Sequence, residues 1–305
     1  MKSLFNVSIS SVFICLLLVN FDLTAQEIFA NKKNSYKLYL KTRGSKKSDI
    51  VKLVIISDLE GDAYQINESV RRIKMLSDLD GIVFAGDLYE NEEIRRMPQF
   101  PFLRQNVQEM FNNLLPYAKL KCPMFIIAGN HEEQDIYETA LIRLHEAGYA
   151  HIIDINRAAI DFDGINIVGL GGYHFDQIMP NNGFKISQKD YEDAFNMIKD
   201  FQSQNEITLF ITHGPPKTES GSLDYVNNIG HVGDFKIAEV LNFNGFKNIY
   251  HFHGHLHERG NIRERFNSGI SINVSAITSY NRLSKDNMGI IFEINRNGEV
   301  VLENL

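Results

Sequence analysis

Cysteine is scarce in this chain: 305 residues contain two, Cys15 and Cys122. Cys15 falls in an N-terminal segment that reads as removable. Cys122 is then alone, which excludes an intramolecular disulfide. The core therefore stands on burial, which a domain of this length achieves without covalent staples. Missing ligand cysteines also argue against a structural zinc site. Basic excess is absent as well, with 31 Lys and Arg against 38 Asp and Glu and a net charge of −7. A dedicated nucleic-acid binder needs positive charge to track a phosphate backbone, so that class is excluded. The apolar run at residues 7–19 (VSISSVFICLLLV) is shorter than the ~20 residues a membrane span requires. No internal repeat or low-complexity segment stands out.

What that run does resemble is the hydrophobic centre of a secretory signal. Lys2 precedes it, residues 20–25 (NFDLTA) break it, and Ala25 offers a small residue for cleavage before Gln26. Cys15 lacks the small preceding residue of a lipidation site. Residues 1–25 are thus expected to be a signal peptide, and the mature chain to be periplasmic or secreted. Residues 26–50 form a basic leader, densest at 32–47 (KKNSYKLYLKTRGSKK), with one short strand at 36–40. The folded domain is expected over 51–305, and its oligomeric state is not encoded.

From residue 51 the chain alternates. Apolar, β-branched runs at 51–57, 81–87, 124–130, 151–155 and 207–214 read as buried strands. Residues 159–172 read as a hairpin turned at Asp163-Gly164. Helical spacing appears at 64–79, 101–118, 133–147, 188–203 and 234–243. A strand over 248–257 carries alternating histidines. The tail from Ile270 reads as strands with a turn at Asn297-Gly298. Strands interleaved with helices and closed by an antiparallel tail give an α/β layered fold with mixed sheets.

Several buried strands run into polar residues beside a glycine. Asp58-Leu59-Glu60-Gly61 follows the first, Gly86-Asp87 the second, and Gly129-Asn130-His131-Glu132 the third. His213-Gly214 and Gly254-His255-Leu256-His257 end two more. Singly, an aspartate at a strand end caps the next helix and an asparagine makes a turn. Five together at carboxyl ends of strands mark a shared site, because that edge is where α/β sheets bind ligands. Carboxylates, imidazoles and an amide oxygen are the donor set of borderline divalent metals.

In this order the motifs resemble the calcineurin-like metallophosphoesterase superfamily over about residues 51–280; the GNHE and GHxH elements are the specific ones. The segments THGPP (212–216) and GHVGD (230–234) further resemble a bacterial and archaeal phosphoesterase branch. The resemblance implies a four-layer α/β/β/α sandwich of two mixed sheets, and two divalent metal ions acting on a small phosphorylated substrate. It places Asp58 and His257 on the first metal and Asn130, His213 and His255 on the second, with Asp87 between them. It implies a bridging hydroxide as nucleophile, and His131 as the proton donor that binds no metal. Phosphomonoesters and phosphodiesters are both open, with a nucleotidase or cyclic-nucleotide phosphodiesterase as the alternative.

Two positions depart from that pattern. Glu60 stands where the superfamily has histidine. As a harder, anionic ligand it favours Mn²⁺ or Mg²⁺ over Zn²⁺ at the first site, with Mn²⁺ the first expectation for the pair and Fe²⁺, Zn²⁺ and Mg²⁺ open. Were it to point away, the first metal site would be weak, and a catalytically idle binding protein would result. Glu90 occupies the position of the carboxylate that orients the catalytic histidine in related phosphatases, and is equally a helix-start residue. His251 and His253 are expected as core or supporting histidines. His231, in the long loop 214–234, is either a substrate contact or an exposed loop residue.

Overall fold

The computed structural model describes residues 50–89, 103–174, 182–202, 207–227, 229–276, 288–295 and 298–305, without the side chains of 103–106. The expected signal peptide, almost all of the basic leader, Glu90 and Asn297 lie outside the described residues.

Two six-stranded sheets face each other. The first has the order β14-β13-β1-β2-β3-β4. It is built from β1 (Ile50–Ile56), β2 (Gly81–Ala85), β3 (Met124–Ile127), β4 (Ile152–Asp154), β13 (Ile290–Asn295) and β14 (Val300–Asn304). Strands β1 to β4 run parallel, β13 adds antiparallel to β1, and β14 adds antiparallel to β13 at the edge. The second has the order β11-β12-β10-β7-β6-β5. Its strands are β5 (Ala158–Phe162), β6 (Ile165–Leu170), β7 (Thr208–Thr212), β10 (Ile249–His253), β11 (Arg263–Phe266) and β12 (Gly269–Asn273). Here β6, β7, β10 and β12 run parallel, with antiparallel β5 and β11 at the edges. A two-stranded ribbon, β8 (Tyr225–Val226) and β9 (Gly230–His231), lies in the long loop.

Side-chain alternation sorts the core into layers. Along β1, Val54 and Ile56 face α1 (Ala63–Ile73), α2 (Leu103–Ala118) and α3 (Gln134–Glu146), packing with Val70, Leu114 and Leu141. Leu53 and Ile55 face the other sheet and meet Leu209, Ile211 and Phe252. On the far side, Val168 and Phe210 pack under α4 (Gln188–Gln202) and α5 (Phe235–Leu241), against Met197, Phe201 and Ile237. Helix, sheet, sheet, helix is the expected four-layer order. Burying both faces of each sheet explains why its parallel strands are continuous apolar runs.

Boundaries depart from expectation for local reasons. Helix α1 stops at Ile73 rather than at 79; Met75 and Leu76 then donate to Arg72 and Ile73 carbonyls, a tightened final turn. Its start is set by Asp62, which accepts from the N–H groups of Tyr64 and Gln65. The hairpin at Asp163-Gly164 forms as expected, with both residues at positive φ (49° and 90°). Strand β11 was not anticipated, because its alternation RERF buries no side chain fully.

The largest departure concerns the histidine-rich stretch. Only His251 and His253 lie on β10, which ends at His253. A Cβ on Gly254 would sit 2.0 Å from the Ser57 hydroxyl and 2.3 Å from an Asp58 carboxylate oxygen, so only glycine lets the chain pass there. His255 then turns through φ 73°, and His257 opens a 3₁₀ turn, His257–Arg259. The four imidazoles therefore do not share one strand face.

Candidate metal centre

Parallel strands from both sheets end at one edge, where the two sheets are stitched together. Ala276 donates to Ser57 across the sheets at 3.0 Å, and Gly254 donates to His213 within the second sheet at 3.0 Å. The loops leaving these strands are bent sharply. Asp58, Glu60, Asp87 and His255 all have positive φ (56°, 46°, 50° and 73°), a conformation uncommon outside glycine. Such strain persists only where the surroundings impose it, and it concentrates at functional sites.

Two groups of side chains meet there. In the first, His257 Nε2 lies 3.2 Å from Asp58 Oδ1 and 3.1 Å from Glu60 Oε1. Glu60 thus turns inward. In the second, His213 Nε2 lies 3.2 Å from Asp87 Oδ2 and 2.8 Å from Asn130 Oδ1, and His255 Nδ1 lies 2.8 Å from that same amide oxygen. Ligand atoms of Asp87, His213 and His255 all fall within 4.8 Å of one another. His131 stands beside this group, its Nε2 3.7 Å from Asp87 Oδ2 and its backbone N–H donating to Asp87 Oδ1 at 3.1 Å.

The donor set suits a cation. His213 Nδ1 is 2.9 Å from the Ala85 carbonyl, which can only accept, so Nδ1 carries a hydrogen. In the neutral ring, Nε2 would then aim a lone pair at two oxygen acceptors. Repulsion is relieved only by a proton or a metal ion. The titration of these groups expresses the same pressure. Burial works against charge on His213, but the Asp87 carboxylate outweighs it and pushes the imidazole up to about 9. Burial likewise opposes charge on His257, yet its hydrogen bond to Asp58 and the charges of Asp58 and Glu60 raise it to about 10. His255 goes the other way, lowered to about 3 by burial and then by the charge of His213. Asp87 ends well below the usual carboxylate range: burial would raise it, but the surrounding imidazoles of His131 and His213 prevail.

Glu132, the last residue of the GNHE segment, holds the loops of the site together. Fully buried, it accepts from Leu88 N at 2.7 Å and Tyr89 N at 3.2 Å through Oε1, and from Asp87 N at 3.2 Å and Gly129 N at 2.5 Å through Oε2. One carboxylate so clamps the loops that carry Asp87 and Asn130. Burial and the Asp87 charge push its carboxyl up to about 7, while the N–H donors hold it down. Gly129 completes the fit, since a Cβ there would lie 2.0 Å from Asp87 Oδ1. Tyr173 was also not foreseen: its ring lies against His255 with centroids 4.4 Å apart.

The remaining candidates fall outside this cluster. His251 is wholly buried between Thr212 Oγ1 (2.8 Å) and Ser271 Oγ (2.7 Å), and burial keeps it neutral. His253 is buried behind it with rings 5.4 Å apart, lowered to about 4 by burial. His231 sits on β9, with Nδ1 3.0 Å from the buried Asp224.

A family model described as calcineurin-like phosphoesterase matches residues 51–259. No curated protein matches the chain. Among solved structures, a protein of Thermus thermophilus superposes with a TM-score of 0.54 at 13% identity, covering 84% of this chain and 99% of that one. A dimetal phosphatase from Danio rerio superposes at 0.54 and 12% identity, covering 83% and 95%. The Plasmodium protein GAP50, described as the anchor in the inner membrane complex, superposes at 0.51 and 13%, covering 84% of each chain. At such identities these neighbours establish the fold.

Proposed function

From its membership of the calcineurin-like phosphoesterase family, which makes this chain a phosphoester hydrolase, we propose that it works through two divalent cations at the sheet edge. Asp58, Glu60 and His257 would hold one, and Asn130, His213 and His255 the other, with Asp87 shared. The observation that carries this reading is the pairing of each imidazole Nε2, His257 and His213, with two oxygen acceptors. When bound, the cations supply Lewis-acid chemistry, acidifying water and neutralising phosphoryl charge.

The chain's own residues do the rest. His131 keeps its side chain only 12% exposed beside Asp87. There it would donate the Nε2 proton to the leaving oxygen, with the Asp87 carboxylate beside the ring. Its backbone bond to Asp87 fixes the loop from which it reaches. The Ala85 carbonyl holds the tautomer of His213, and the Tyr173 ring covers one face of His255. Anionic Glu60 favours Mn²⁺ over Zn²⁺. Exported chain, cleaved after Ala25, is part of the same proposal; N-terminal sequencing of secreted material should begin at Gln26, and an intact Met1 would refute it.

Elemental analysis of the chain loaded with Mn²⁺ and then desalted tests the centre. Two retained equivalents, with hydrolysis of p-nitrophenyl phosphate or its bis-ester, are expected. One equivalent or none, without turnover, would favour the idle binding protein.

A further inference from the structure

The long loop between His213 and α5 is not a loose connection. Asp224, wholly buried within it, accepts from Thr218 Oγ1 at 2.7 Å and pairs with His231 Nδ1 at 3.0 Å, while its carbonyl accepts from Val232 N at 2.9 Å. A buried carboxylate on Nδ1 fixes the ring and leaves Nε2 as its outward atom; the His231 side chain is 39% exposed. Tyr225 lies across the ribbon, its ring edge-on to His231 with centroids 5.5 Å apart. Onto the carbonyl of that same tyrosine Arg259 donates one Nη2 hydrogen at 3.2 Å. A guanidinium carries five N–H donors, so most remain for a ligand. Arg259 and His231 thus both contact Tyr225, one at its carbonyl and one at its ring.

Both are also tied to the candidate metal centre, Arg259 through the chain and His231 through Tyr173. Arg259 is the last residue of the 3₁₀ turn whose first residue is His257. His231 precedes Val232, whose carbonyl accepts from the Tyr173 hydroxyl at 2.9 Å, and the Tyr173 ring rests on His255. An arginine and an imidazole are therefore braced at the rim of the proposed phosphoryl site.

We infer that His231 and Arg259 form a second anion subsite, and that the substrate is an organic phosphate carrying a further phosphate or carboxylate on its leaving-group side. This rests on the proposed function and names its substrate class. The planar guanidinium takes that second anion bidentately, and the His231 ring, held from behind by Asp224, presents its Nε2 edge beside it. A simple aryl phosphate uses only the metal centre.

Non-hydrolysable probes separate the two levels. Calorimetry on the Mn²⁺-loaded mature chain would compare n-alkylphosphonates with α,ω-alkane bisphosphonates of two to six methylenes. At one spacer length the bisphosphonate should bind about tenfold tighter, and Arg259→Ala and His231→Asn should each bring that ratio toward one. Asparagine keeps a donor to Asp224, so the ribbon stays folded. A ratio near one at every length, or one that survives both substitutions, overturns the subsite. Alkylphosphonates that fail to bind at all overturn the metal centre, and the subsite with it.

Discussion

The first sheet delivers Asp58, Glu60, Asp87 and Asn130 to the site, and the second delivers His213, His255 and His257. Except for His131, oxygen donors come from one sheet and nitrogen donors from the other. Neither sheet holds a complete ligand set. Each half alone would be an unfavourable concentration of like groups, carboxylates in one and imidazoles in the other. Their juxtaposition across the interface is what gives His213 and His257 two oxygens each to face. The candidate metal centre is thus also a junction between layers, and its electrostatics depend on how the sheets pack.

Breaking the acidic half at its centre has the largest expected effect. Asp87→Asn removes the shared carboxylate while keeping its shape, and should lower turnover on the order of 10³-fold, with loss of bound metal by elemental analysis. Full activity with two retained metals would contradict the assignment. Next comes the clamp inside the same half. Glu132→Ala leaves four buried N–H groups without their acceptor and should cost about 3 kcal/mol or more in denaturant unfolding, because buried charged networks are expensive to break. A change under about 1 kcal/mol would show that the loops hold themselves.

A smaller effect tests the residue that departs from the family pattern. Glu60→Gln removes one charge facing His257 and should weaken retention of the first Mn²⁺ equivalent by roughly tenfold, while Glu60→His should shift preference toward Zn²⁺. Competition between the two metals, read by mass analysis, decides it. The smallest effect concerns protons. His213 and His257, at about 9 and about 10, are charged at neutral pH without metal. Cations take the same lone pairs, so loading at pH 7 should release about two protons, visible by calorimetry in buffers of different ionisation enthalpy. Both values are raised above the ordinary 6.5. The metal-free chain should therefore carry their full stabilisation below that pH and lose it as pH rises through 9 to 10. Thermal melts at pH 7 and pH 10 check the sign.

The comparison also explains what was legible beforehand. Both sheets announce themselves as short apolar runs, and each run stops at a polar residue beside a glycine, so strands, layers and candidate ligands could be read by position. The histidine stretch was misread in one respect. Alternation at 251, 253, 255 and 257 looks like one strand face, but Gly254 must pass close to Asp58, and the strand ends there. That contact joins residues almost 200 positions apart, and no local pattern encodes it.

Residue chemistry and order alone determined that this is a layered α/β protein with carboxylates, an amide and imidazoles gathered at strand ends. These follow from burial and from side-chain type, which act locally. Tertiary structure decided that Glu60 turns inward, that Glu132 clamps two loops, that Tyr173 covers His255, and that His231 rests on Asp224 beside Arg259. Each of these depends on a hydrogen bond or close approach between segments that only sheet packing brings together. The energy of such contacts comes from distance and direction, which a linear sequence does not contain.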